Sequence, residues 1–119
     1  MSKQNALYDL ECLRQQTGND EVFLHSIVVL FIKQTSENLA KINQDIQIKN
    51  WPGISFIIHK MKSNIKLFGI PGLGPAIDYL EEASSGEVDE GKVIAQLKNI
   101  ESVLNECIEQ LKQAFQIDS

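Results

Sequence analysis

Apolar residues recur along this chain at intervals of three and four, and no alternation of apolar and polar residues runs long enough to predict a strand. The clearest repeat lies toward the C-terminus, where Val93, Leu97, Ile100, Leu104, Cys107 or Ile108, Leu111 and Phe115 mark one face of a long helix capped by Asp89. Near the other end, Leu7, Leu10 and Leu13 predict a short helix that stops before Gly18. Asn19 is the expected cap of the next helix, whose first turn places Asp20 and Glu21 at the positive end of its dipole. Its expected core positions are Phe23, Ile27, Leu30 and Phe31. From about Ser36 the repeat continues through Leu39, Ile42 and Ile46 with no breaker before it, which allows either two helices or one with a bend.

Asn50 is a good cap for the following helix, and Pro52 falls in its first turn, where a missing N–H costs little. The helix is expected to run through His59 to Phe68, with Gly69 as its stop. Residues 69–75 are rich in glycine and proline and predict a loop. Pro75 then opens a helix carrying Ile77, Leu80 and Ala83, ended by Ser84-Ser85-Gly86. Four substantial amphipathic helices with short connections predict an all-α fold, an antiparallel four-helix bundle with a short additional N-terminal helix. At 119 residues the chain is expected to form a single domain over 1–119. The C-terminal repeat would also suit a coiled-coil dimer, but a bundle of this size needs that stripe for its own core, so a monomer is expected.

Charge narrows the partners. Sixteen acidic against eleven basic residues give a net charge of -5, the wrong sign for binding nucleic acid or an anionic membrane surface. Cys12 and Cys107 fall in no metal-ligand spacing and suggest no disulfide framework. The longest apolar run, 27–32, is about a third of a membrane span. Met1-Ser2-Lys3-Gln4 leads into no apolar region of signal type, and the expected location is the cytoplasm.

On a helical wheel, the segment 50–69 gathers Ile54, Ile57, Ile58, Met61, Ile65 and Phe68 into one arc that must face the core. The opposite arc holds Ser55, His59, Lys62, Ser63 and Lys66, with Phe56 and Leu67 on its shoulders. An exposed imidazole is largely neutral at pH 7 and keeps a lone pair on one ring nitrogen, so His59 can act as a nucleophile. Lys62, one turn on, would balance the charge of a phosphoryl group placed there. Small side chains at Ser55 and Ser63 leave room for a partner. No carboxylate pair or second histidine stands nearby in sequence, which describes a surface able to receive a group and poorly equipped to drive a reaction alone. His25, with no cation one turn on, is read as packing against the N-terminal helix. Glycines 69, 72 and 74 lack the preceding strand and following Gly-Lys-Ser/Thr of a nucleotide loop. Glu81, Glu82, Glu87, Asp89 and Glu90 are read as a solvated edge, without the ligand spacing of a metal site.

His59-Lys60-Met61-Lys62-Ser63 resembles the His-x-x-Lys-Gly signature of histidine-containing phosphotransfer domains, and Gly69 falls where that family has a second glycine. Residues 18–24 look like the opening of the family's second helix, Asn50-Trp51 like its Asp-Trp, and Leu80-Glu81 like its downstream Leu-Glu, so the likeness spans about 7–115. The resemblance implies a phosphocarrier in a multistep two-component relay rather than an enzyme. His59 would be the phosphoacceptor, with Lys62 and Ser63 stabilising and positioning the phosphoryl group. Ser55, Phe56, Lys66 and Leu67 would dock the partner. The partners implied are response-regulator receiver domains and a hybrid histidine kinase, and the receiver, not this chain, would bring Mg²⁺. Ser63 departs from the family's glycine, adding a hydroxymethyl group that either narrows the steric tolerance of docking or donates to phosphoryl oxygens. Two rival readings are a helical adaptor that docks without carrying phosphate and a stand-alone enzyme using His59 as a base, for which no second catalytic group is found.

Overall fold

Five α-helices and no strand make up the described residues, 7–83 and 87–117, of the computed structural model: α1 (Glu11–Gln16), α2 (Glu21–Gln47), α3 (Trp51–Leu67), α4 (Gly74–Ala83) and α5 (Glu90–Phe115). Met1-Ser2-Lys3-Gln4 and the stop expected at Ser84-Ser85-Gly86 lie outside the described residues. The first helix begins at Glu11 rather than Leu7. Asp20, not Asn19, caps α2 by accepting from Phe23 N–H at 3.1 Å. Asn19 is held in the left-handed region at φ 63°, as the chain turns out of α1, and only Asp20 has the extended backbone a cap needs.

No break occurs near Ser36. With neither glycine nor proline between Glu21 and Gln47, nothing interrupts the hydrogen-bond ladder, and α2 runs unbroken for 27 residues. Its buried stripe passes through Leu24, Val28, Phe31, Thr35, Leu39 and Ile42. The expected core positions Phe23 and Leu30 are each 52% exposed, one residue out of step with that stripe and so rotated by about 100°.

The core is one cluster to which all five helices contribute. α3 packs against α2 and α4, and α5 packs against the same two. Phe31 of α2 stacks on Phe68 at the end of α3, with ring centroids 4.0 Å apart. Gly69 ends α3 as expected: at φ 60° it lets its own N–H reach Lys66 O and that of Ile70 reach Ile65 O, a Schellman closure with both isoleucines buried. The N-terminal strap lies directly on this turn. Asp9 N–H donates to Phe68 O at 2.9 Å, Leu7 N–H donates to Gln110 Oε1 at 2.8 Å, and Arg14 pairs with Glu21. Among the described residues no helix is long and apolar enough to cross a membrane.

Candidate functional site

The start of α3 is built to one register. Asn50 accepts from Gly53 N–H at 3.1 Å while its side-chain amide donates to the buried Asp45 at 3.4 Å. A Cβ on Gly53 would sit 2.4 Å from the Asn50 amide nitrogen, so a larger residue there would have to displace the capping side chain. From that start the wheel follows as expected: Ile54, Ile57, Ile58, Met61, Ile65 and Phe68 are all buried, and His59 stands exposed with 71% of its side chain accessible.

The other face of α3 is less open than the sequence implies, because α4 packs beside it. Glu81, expected on a solvated edge, instead reaches across to α3 with its side chain only 20% exposed. Its Oε2 lies 2.5 Å from His59 Nδ1, and its Oε1 accepts from Lys62 Nζ at 3.0 Å. Ser55 Oγ donates to the main-chain carbonyl of the same residue at 3.2 Å. Asp78, one turn earlier on α4, lies 3.9 Å from Lys62 Nζ. Spacing along the sequence does not reveal this carboxylate beside His59, because Glu81 is 22 positions away; its one signal is the Leu80-Glu81 pair.

Electrostatics follow from these contacts. Hydrogen bonds from His59 and then Lys62 hold the Glu81 carboxyl below the ordinary carboxylate range, so it is ionised at neutral pH. The bond from Lys62 to Glu81 raises the lysine in turn, keeping it a cation. An ionised carboxylate can only accept, so the ring nitrogen facing it must carry the proton. In its neutral form His59 is thereby held as the Nδ1–H tautomer, and Nε2 is engaged by no hydrogen bond among the described residues.

Ser63 and Lys66 are exposed, and neither side chain makes a hydrogen bond or ion pair among the described residues. Phe56 is 63% exposed, with Lys60 Nζ 5.3 Å from its ring centroid. Leu67 is half-buried against the core, which leaves Phe56 as the freer apolar shoulder. His25 packs against the end of α5, not the N-terminal helix: its Nε2 is 3.3 Å from Phe115 O and its ring meets that of Phe115 edge-on. Among the described residues no cluster of histidine, cysteine and acidic side chains is placed to hold a metal ion.

No curated protein and no solved structure matches this sequence. A family model, that of the Hpt domain, matches residues 26–114, a span that includes His59, Lys62 and Glu81. With well over half of the sequence inside that match, the chain belongs to the Hpt domain family.

Proposed function

We propose that this protein is a phosphocarrier of a multistep two-component phosphorelay, accepting a phosphoryl group on His59 from a receiver-domain aspartate and passing it to another receiver. The supporting observation is the state of His59: an exposed ring whose Nδ1 is bonded to an ionised carboxylate and whose Nε2 is open. In the transfer, the Nε2 lone pair attacks the phosphorus of the partner's aspartyl phosphate as the bond from phosphorus to the aspartate oxygen breaks, and the aspartate leaves with the electron pair. The ring keeps its Nδ1 proton and gains a positive charge, which Glu81 balances at 2.5 Å. The reverse reaction returns the group to a second aspartate. Hpt domains are carriers rather than classical enzymes, and in this reading Mg²⁺ and the catalytic carboxylates belong to the receiver.

Lys62 fixes Glu81 and adds positive potential beside the ring, while Ser63, one turn beyond His59, faces the incoming group. Docking falls to Phe56, Lys66 and the exposed edge of Leu67. The frame is a single domain in which α2 to α5 form an antiparallel four-helix bundle. Short turns at 48–50 and 68–73 support that topology. We place the protein in the cytoplasm as a monomer.

The deciding experiment incubates the protein with phosphorylated receivers and Mg²⁺ and follows intact mass. A gain of one phosphate that is acid-labile and alkali-stable is expected. Failure across a receiver panel that loads a known carrier would overturn the reading and leave a phosphate-free adaptor. Phe56→Asp tests the docking face: receiver affinity is expected to fall by roughly tenfold, the loss typical of an anchoring aromatic, with unchanged helicity. Equal affinity in a titration would remove Phe56 from the interface.

A further inference from the structure

Three donors on α3 converge on one residue of α4. Ser55, His59 and Lys62 are spaced four and three apart and share one stripe, and they meet the main-chain carbonyl and the two carboxylate oxygens of Glu81. The three contacts are not equivalent. Those from His59 and Lys62 involve long or solvent-facing side chains, and exposed pairs of this kind hold their geometry loosely. Ser55 is half-buried, has a single rotatable bond before its oxygen, and grips backbone rather than side chain. A serine inside a helix ordinarily turns its hydroxyl back onto the carbonyl four residues earlier. Ser55 has one proton to donate and gives it to the neighbouring helix 26 positions away.

We propose that Ser55 is a positioning residue of the phosphoacceptor site: by holding the Glu81 backbone against α3, it sets the reach of the Glu81 carboxylate and so the tautomer of His59. This inference rests on the phosphocarrier reading for its functional consequence, but its structural content concerns the unphosphorylated protein. With Ser55 in place, the carboxylate swings on a fixed root and meets Nδ1. Without the anchor, the end of α4 drifts, Glu81 meets the ring for less of the time, and the proton moves toward Nε2. Because Nε2 is the atom that must attack, each molecule protonated there is idle. Ser55 thus acts through Glu81 and touches neither phosphorus nor the ring.

Nitrogen-15 shifts of the His59 ring, read by long-range proton-nitrogen correlation in the unphosphorylated protein, report the tautomer directly. Wild type is expected to show Nδ1 protonated. Ser55→Ala is expected to move the shifts toward a mixed population and slow phosphoryl uptake by roughly threefold to tenfold, as loosening a positioning contact does. Ser55→Thr, which retains the hydroxyl, restores both. Ser55→Cys keeps the volume with a poor donor, so if Ala unfolds the protein, Cys carries the test and is expected to shift as Ala would. Unchanged ring shifts in a folded Ala or Cys variant overturn the proposal, as does slower uptake without a tautomer shift. A wild-type protein that takes no phosphate yet shows the Ser55-dependent tautomer refutes the phosphocarrier reading and leaves the positioning role standing.

Discussion

His59→Gln is expected to abolish phosphate uptake altogether while the melting curve stays where it was. Glutamine offers an amide N–H that can still donate to Glu81, so the contact between α3 and α4 survives, but its amide nitrogen has no available lone pair for attack. The replaced side chain is mostly exposed and contributes little buried area, so stability should change by less than about 0.5 kcal/mol. Mass measurement after incubation with a phosphorylated receiver, beside a thermal melt, reads both halves. Residual uptake would locate the nucleophile elsewhere. His25, the other histidine, has Nε2 directed at the Phe115 carbonyl, and its Nδ1 would be the atom to examine first.

The second large effect concerns stability. Gly69→Ala should lower it by about 3 kcal/mol, of which about 1 to 2 kcal/mol is the cost of a left-handed conformation for a residue with a Cβ. The rest is steric. The added Cβ would lie 2.7 Å from Asp9 O and 2.8 Å from Asp9 Cβ, so either the strap or the turn must move, and the Asp9 hydrogen bond to Phe68 goes with it. For a chain of this size, that corresponds to a melting temperature lower by roughly 10 °C. A variant that melts with the wild type would mean that the strap does not lie on Gly69 in solution.

Periodicity located the buried arc of α3 residue by residue, because an arc of six apolar side chains in one helix has a single consistent reading. It could not do so for the N-terminal turns of α2, where 23, 27 and 30 and the stripe one residue later are both apolar. Which of them is covered depends on where α1 and α5 lie, and pattern within one helix does not encode that. Glu81 failed for the same reason in reverse. Its neighbours Glu82 and Glu87 are exposed, and its own burial comes from the way α4 lies along α3. The caps were legible when geometry agreed with composition, as at Asn50 and Asp89, and misplaced by one where the turn out of α1 forced Asn19 into positive φ.

The contacts that make the site span 26, 22 and 19 positions of sequence, whereas those tying down the ends of the molecule span 103 and 90. Loop-closure entropy rises only slowly with length, yet local contacts still form fastest and depend least on the rest of the chain. His59 and Glu81 therefore belong to one local hairpin, α3 with α4. The last turn of α5 touches neither helix of that hairpin through the Phe115 contact to His25, whereas the N-terminal strap reaches it only at the turn, through Asp9 and Phe68.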